Sequence, residues 1–344
     1  MEIDIDKLQE KSSIINSMIA IAASIVIIFA AQAASSILVP FLFAVFLSII
    51  FMPLVNWLSI YRVPLGFSVL VVVLLIISIL TITAIFISAQ IAGFTERLPV
   101  YEDLLNQKVT DLAANFGQEI TVSQILNQFE LASPMTLAAN LFNGMQGLFA
   151  NFVLIILSVI FLLLEASTFP AKIGLITGWS SNDPDYFKRF TFSMQHYLSI
   201  KTVISLVTGL LATAIAFLVG LDYALLWGLL AFLLNYIPNI GSLIAAIPPV
   251  ILAFIQLGVL ESSLVALGYL AINLLIGGIL EPRIMGRRLG LSTLVVFLSL
   301  VFWGWVFGAA GMLLSVPLTM IVKIALESSS STSNLARILG DDSL

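Results

Sequence analysis

The chain contains no cysteine and only one histidine, His196, among its 344 residues. Without cysteine there is no disulfide framework and no thiolate metal site. A single histidine also excludes the usual multi-histidine metal clusters. We therefore expect neither a metal nor a cofactor.

Charge and catalytic motifs are scarce as well. Only 10% of the residues are charged, and a net charge of −5 argues against nucleic-acid binding. No Walker A sequence is present, so the chain does not hydrolyse ATP through a P-loop. The lone histidine lies outside the apolar runs, which excludes an intramembrane serine–histidine pair. We expect a protein that is not an enzyme.

Apolar residues dominate what remains. They make up 60% of the chain, and the mean hydropathy is +1.13. A soluble domain of this size does not need so much apolar material, so the composition indicates an all-α polytopic membrane protein. The mixed-charge start, residues 1–11, does not resemble a cleavable signal peptide, and we expect the first helix to be retained.

Six continuous apolar runs predict about six full spans, at residues 14–34, 37–58, 65–91, 149–164, 202–220 and 262–280. Residues 93–146 differ, because acidic side chains there accompany apolar residues at helical spacing from Pro99 onward. This pattern predicts a small amphipathic helical subdomain. Its acidic balance suits the non-cytoplasmic side of the membrane.

These features divide the chain into six parts. They are the N-terminal membrane helices 1–92, the amphipathic segment 93–147, the fourth span with a cytoplasmic amphipathic helix 148–201, a span with a first hairpin 202–261, a span with a second hairpin 262–326, and a cytoplasmic tail 327–344.

The C-terminal half contains two apolar runs that are interrupted. Residues 224–260 carry no charge but contain Pro238, Pro248 and Pro249 together with Asn235 and Asn239. Proline removes a helical hydrogen bond, and glycine and asparagine favour turns. Such broken apolar segments are the best sequence pointer to a transport site.

Charge parity predicts how these two runs lie in the membrane. The positive-inside rule places the basic loops at Arg62, 172–201 and 283–288 in the cytoplasm. Residues 224–260 must then enter and leave from the outside, with a bend near 238–241. Residues 291–322 form a cytoplasmic-side counterpart that bends near 305–311. We therefore predict two oppositely oriented re-entrant hairpins, an inverted repeat; single kinked helices or pairs of ordinary spans are the alternative.

Polar groups at membrane depth are costly, so they are candidates for function. The candidate substrate-binding residues are Asn235, Pro238, Asn239, Gly241, Asn273, Trp303 and Trp305. Each has a structural alternative. The first two asparagines could only cap half-helices, Asn273 could only join two helices, and the tryptophans could be interfacial anchors.

A second set of residues is expected to act in gating or as hinges. Prolines and glycines at the breaks allow the chain to bend, and a carboxylate next to an arginine could form a gating ion pair, although a surface pair contributes little. These residues are Pro248, Gly308, Gly311, Pro317, Glu281 and Arg283.

Three segments of the C-terminal half resemble a known family. Residues 235–242 read Asn-Tyr-Ile-Pro-Asn-Ile-Gly-Ser, and residues 280–292 read Leu-Glu-Pro-Arg-Ile-Met-Gly-Arg-Arg-Leu-Gly-Leu-Ser. Residues 303–318 read Trp-Gly-Trp-Val-Phe-Gly-Ala-Ala-Gly-Met-Leu-Leu-Ser-Val-Pro-Leu. Together they closely resemble the autoinducer-2 exporter family of bacterial transporters. Where family members often have Gly-Pro-Val-Gly, this chain has Gly-Ala-Ala-Gly at 308–311, which leaves the second break less rigid.

The resemblance implies a multi-pass protein of the bacterial inner membrane that exports autoinducer-2 or a related polyol. It also implies contact with membrane lipids and a homo-oligomer, of which a pentamer is one candidate. Charge parity adds that both termini are cytoplasmic. The favoured function is secondary export of a small polar signalling molecule. The alternatives are a sodium(lithium)/proton antiporter and a non-transporting membrane scaffold that binds a partner through residues 93–146.

Overall fold

The computed structural model describes residues 18–19, 22–115, 151–166, 184–238, 240–285, 291–327, 332 and 337–340. Throughout these residues the regular secondary structure is helical. The helices are α1 (Ala22–Ala33), α2 (Ser35–Ile60), α3 (Leu65–Asn115), α4 (Phe152–Glu165), α5 (Pro184–Val219), α6 (Ala224–Leu234), α7 (Gly241–Gln256), α8 (Val259–Ile272), a π-helical segment (Asn273–Leu280), α9 (Glu281–Met285), α10 (Thr293–Leu313) and α11 (Ser315–Glu327).

Among the described residues, five helices are long and apolar enough to cross a membrane. They are Ser35–Ile60, Leu65–Lys108, Thr191–Val219, Val259–Ile284 and Thr293–Leu313. The prediction of an all-helical, polytopic chain is confirmed at this level. The helices α1, α4, α6 and α7 are shorter and also apolar.

Two predicted boundaries between helices are absent in the structure. The third span was expected to end near residue 91 and a new helix to begin near Pro99, but α3 runs unbroken through Pro99 for 51 residues. A proline inside a helix removes only one backbone hydrogen bond, and the change from apolar to polar side chains does not itself end a helix. Within the part 148–201, the sequence predicts the cytoplasmic amphipathic helix at 184–200, and this helix likewise continues into the next span as α5. The sequence also predicts a second short helix at 122–130, which lies outside the described residues.

The first interrupted run forms two helices, α6 and α7, and the described residues between them, 235–238 and 240, form a turn. At the other end of the pair, the Asp222 backbone N–H donates to Gln256 Oε1 at 3.1 Å. In a straight helix these residues would lie about 50 Å apart. The chain therefore reverses direction, and we call residues 224–256 the first hairpin.

The second interrupted run also reverses. Within α10 the backbone leaves the helical conformation at Gly308, which has φ 64° and ψ −146°, a region that glycine tolerates best. Trp303 Nε1 donates to Thr319 Oγ1 at 2.9 Å, whereas sixteen residues of straight helix would separate them by about 24 Å. We call residues 293–327 the second hairpin.

Both reversals are closed by the same contact. A Cβ on Gly241 would lie 1.8 Å from the carbonyl oxygen of Leu234, and a Cβ on Gly311 would lie 1.8 Å from that of Trp303. Only glycine permits such an approach, because any larger residue would push the two helices apart. The two hairpins therefore share a packing device as well as a sequence pattern.

The core divides into two main clusters. One lies between α2, α3 and α4 and includes Ala44, Val72 and Val159. The other surrounds the first hairpin and joins it to α3, α5 and α8, with Trp227 fully buried at its centre. A smaller cluster packs α5 against the second hairpin.

The tightest helix crossing is between α5 and α6. A Cβ on Gly228 would lie 1.7 Å from Thr213 Oγ1 and 2.6 Å from the carbonyl oxygen of Gly209. We predict that Gly228→Ala destabilises the protein by about 1–3 kcal/mol through overpacking. Thermal unfolding in detergent, followed by tryptophan fluorescence, measures this as a lower midpoint. Gly66→Ala is the matched control, because nothing lies within 4 Å of its Cβ position. Equal midpoints for the two variants would contradict the close crossing.

Candidate functional site

The turn of the first hairpin is set by local sequence. Pro238 has no backbone N–H to continue a helix, and its carbonyl accepts from the N–H of Ile240 at 2.7 Å. The N–H of Gly241 then donates to the carbonyl of Ile237 and starts α7. The turn thus uses its own backbone groups, which leaves the side chains of Asn235 and Tyr236 available to neighbouring helices.

Those two side chains bind α5. Asn235, which is 7% exposed, donates from Nδ2 to Ser205 Oγ at 3.0 Å. The Tyr236 hydroxyl donates to Thr202 Oγ1 at 2.8 Å. Buried polar groups need partners, and here helix α5 supplies them from one face.

Asn273 faces the same hairpin from the other side. It stands where α8 changes into the π-helical segment, and π-helical turns occur frequently at functional sites. Its Oδ1 accepts a hydrogen bond from Ser242 Oγ at 2.7 Å. Gly277 leaves room for this amide, since a Cβ there would lie 3.1 Å from Oδ1. Asn235 at the turn thus binds α5, and Asn273 binds Ser242 at the start of α7.

A buried ion pair lies at the end of this polar region. Lys201 of α5 pairs with Glu281, and their side chains are 3% and 20% exposed. The partner expected for Glu281 from sequence was Arg283, which is instead exposed. An unpaired charge in this position would cost several kcal/mol, so each of the two requires the other.

Lys201 is the residue that the sequence analysis missed. It was read as part of the basic stretch 172–201, but it is one of a series on the buried face of α5. That series is Lys201, Ser205, Thr208, Ala212 and Ala216, all buried. Their helical spacing, with the polar members at one end, is the signal that could have identified this face.

Two further hydroxyls add to the polar character of the region. Among the described residues, Thr208 Oγ1 and Tyr269 Oη are buried and have no hydrogen-bond partner. Thr208 lies one turn along α5 from Ser205, and Tyr269 lies one turn before Asn273. Unpaired buried groups are costly, so they are candidates for binding water or a polar solute.

The tryptophans of the second hairpin make their contacts elsewhere. Trp303 stacks on Phe307 with ring centres 5.7 Å apart, and Trp305 packs edge-on against Phe29 of α1. The hinge candidate Pro317 lies in the first turn of α11, where proline is tolerated. Pro248, in contrast, lies inside α7. Asn239 and the arginines at 287 and 288 lie outside the described residues.

The base of the first hairpin is held by α3. Asp222 accepts hydrogen bonds at Oδ2 from Arg97 at 2.9 Å and from the Tyr101 hydroxyl at 2.8 Å. Lys108 donates to the carbonyl of Phe254 at 2.8 Å. Burial raises the pKa of the neighbouring Tyr223 phenol above its ordinary value.

Comparison with known proteins identifies the family. The model of the AI-2E family of transporters matches residues 15–331. The AI-2 transport protein TqsA of Escherichia coli (strain K12) is 41% identical over 320 residues, which cover 92% of this chain and 93% of TqsA. A Haemophilus influenzae relative is 39% identical over 97% of this chain and 99% of its own length. YhhT of E. coli (strain K12) is 36% identical over 94% of this chain and 93% of YhhT. The names of the latter two give no substrate. The chain therefore belongs to the AI-2E family of transporters.

Proposed function

We propose that this transporter is a secondary exporter of a small polar signalling molecule, most specifically autoinducer-2, across the bacterial inner membrane. One observation carries the proposal. Ser205 of α5 and Asn235 of the first hairpin are buried, and Asn273 of the π-helical segment is half-buried. All three make hydrogen bonds at or beside a break in otherwise apolar helices, and this is the arrangement expected of a transport site. The name of TqsA supplies the cargo. Family membership favours transport over the scaffold alternative.

The membrane topology is part of this proposal. About six full spans carry two re-entrant hairpins of opposite orientation, and both termini are cytoplasmic. The shared glycine–carbonyl contact at Gly241 and Gly311 supports an inverted repeat. The exposed apolar faces of the spans would contact lipid or another copy of the chain, in keeping with a homo-oligomer.

In this scheme the turn of the first hairpin is the primary solute site. Asn235, Asn239 and Asn273 offer amide donors and acceptors to hydroxyl groups, while Pro238 and Gly241 shape the turn. Trp303 and Trp305 would contribute to solute binding at the second hairpin.

Gating would require each hairpin to move. The hinge candidates are Pro248, Gly308, Gly311 and Pro317. Glu281 and Arg283, at the end of the span that contains α8, would act in gating. Helix α2 reaches both hairpins, because Phe46 packs edge-on against Tyr236 at 5.8 Å and α2 also packs against α10. It is therefore positioned to link the two gates.

Transport in a purified system tests the function directly. Vesicles that contain the protein and are loaded with autoinducer-2 should release it faster than protein-free vesicles, and bacteria that lack the protein should accumulate it internally. Equal release from both kinds of vesicle would refute export of this molecule.

The site assignment predicts a difference between Asn235→Ala and Ser205→Ala. Removing one hydrogen bond to the solute, worth about 1 kcal/mol, should lower efflux roughly fivefold in Asn235→Ala. Ser205→Ala should have a smaller effect, because it removes only the partner on α5 and leaves the amide to the solute. Both variants should elute as folded protein in detergent. Equal losses that do not add in the double variant would show that Asn235 acts only through Ser205.

The second candidate function is sodium(lithium)/proton antiport, and the Lys201–Glu281 pair favours it. Antiport needs a titratable carboxylate at membrane depth, and Glu281, which is 20% exposed, pairs there with Lys201, which is 3% exposed.

This pair separates the two functions. Glu281→Gln leaves Lys201 buried without a countercharge and should cost about 3–5 kcal/mol of stability. The double variant Lys201→Met/Glu281→Leu should recover most of that stability. If the protein is an antiporter, a sodium pulse should move protons in wild-type vesicles and not in those with the double variant. Wild-type vesicles without proton movement would exclude antiport.

A further inference from the structure

The second hairpin borders a cavity that none of the preceding assignments uses. It has a volume of about 250 Å³ and lies between the start of α2, the start of α4 and the turn of the second hairpin. Its wall is lined by Ser35, Ser36, Val39, Pro40, Phe43, Asn151, Ile155 and Phe307. Pockets for drug-sized ligands begin at about 300 Å³, so this cavity suits a smaller molecule.

The lining combines two chemistries. Ser35, Ser36 and Asn151 present hydroxyl and amide groups, which can both donate and accept. Pro40 and the rings of Phe43 and Phe307 contribute apolar surface to the same cavity. A small polyhydroxylated solute matches both kinds of surface, since its hydroxyls can bind the polar groups and its C–H face can pack on the rings.

The broken backbone of α10 stands beside this cavity. At Gly308 the chain departs from helical geometry, so the carbonyls of the preceding turn are not all held by the helix. Gln32 Nε2 donates to the carbonyl of Trp305 at 3.1 Å. Non-helical backbone at membrane depth survives where protein or a watery cavity satisfies it. The cavity and the hydrogen bond from Gln32 together meet that requirement.

The two hairpin turns differ in their surroundings. At the first turn, the polar side chains of Asn235, Tyr236 and Asn273 are bonded to neighbouring residues. At the second turn, Phe307 borders a cavity to which α2 and the start of α4 contribute Ser35, Ser36 and Asn151. In the topology proposed above, Ser36 and Asn151 lie at the outer ends of α2 and α4. The closed turn then faces the cytoplasm and the open cavity faces outward.

We infer that this cavity is a second binding site, specific for a small polyol, from which the transported solute leaves on the outer side. The inference rests on the proposed function, because it assigns the cavity to the same cargo. It separates the transport path into an inner polar site at the first hairpin and an outer site at the second.

The absence of cysteine makes the site directly testable. Single variants Ser36→Cys in α2 and Asn151→Cys at the start of α4 each introduce the only thiol. They would be reconstituted in phosphatidylcholine vesicles, whose headgroup has no free hydroxyl, and labelled with a membrane-impermeant maleimide. Autoinducer-2 at roughly ten times its Kd should slow labelling about tenfold by mass action. Glu102→Cys, exposed on α3 outside the cavity, should label at the same rate with and without solute. A disaccharide, too large for the cavity, should protect neither position.

The outcomes separate the two proposals. Unchanged labelling of both cavity variants, in vesicles where wild-type protein exports autoinducer-2, overturns the outer site and leaves the exporter intact. Protection without export retains the binding site and contradicts the exporter. A lipid headgroup would offer the same hydroxyls as a polyol. If phosphatidylglycerol slows labelling and autoinducer-2 does not, the cavity is a lipid site and the inference is wrong.

Discussion

The structure depends on one constraint, which is that backbone hydrogen-bonding groups in an apolar layer must be satisfied by the protein itself. The chain breaks its helices at two places and meets the constraint differently at each. At the first turn, bonds such as Ile240 N–H to the Pro238 carbonyl close the break internally. At the second, a side chain from another helix, Gln32, donates to the exposed carbonyl of Trp305. At both turns a glycine also lets the second helix approach a backbone carbonyl of the first helix closely.

Because the backbone groups at the first turn bond to one another, the side chains there can bind neighbouring helices. Asn235 and Tyr236 bind helix α5 rather than capping their own helix. The buried Lys201–Glu281 pair lies at the end of the same face. Buried ion pairs often contribute little net stability, because the cost of removing two charges from water offsets their attraction. The pair is therefore weak evidence of added stability.

The sequence predicted the class of fold because composition alone requires it, and no other arrangement suits so apolar a chain. It also located the candidate turn residues, since proline, glycine and asparagine within an uncharged run have few structural uses. It did not predict that Lys201 would pair with Glu281, because eighty residues separate them and a lysine at a helix end usually marks topology. Nor did it predict the continuity of α3 through Pro99, where the change in polarity was mistaken for the end of a helix.

That continuity has a mechanical consequence. With 51 residues, α3 is about 77 Å long, more than twice the roughly 30 Å of a hydrocarbon core. One part packs against α2 and α4, and the far part is fastened to both ends of the first hairpin through Asp222 and Phe254. A continuous helix does not absorb displacement as a flexible linker does. A tilt of the distal part of α3 relative to α2 and α4 would therefore displace the first hairpin with it.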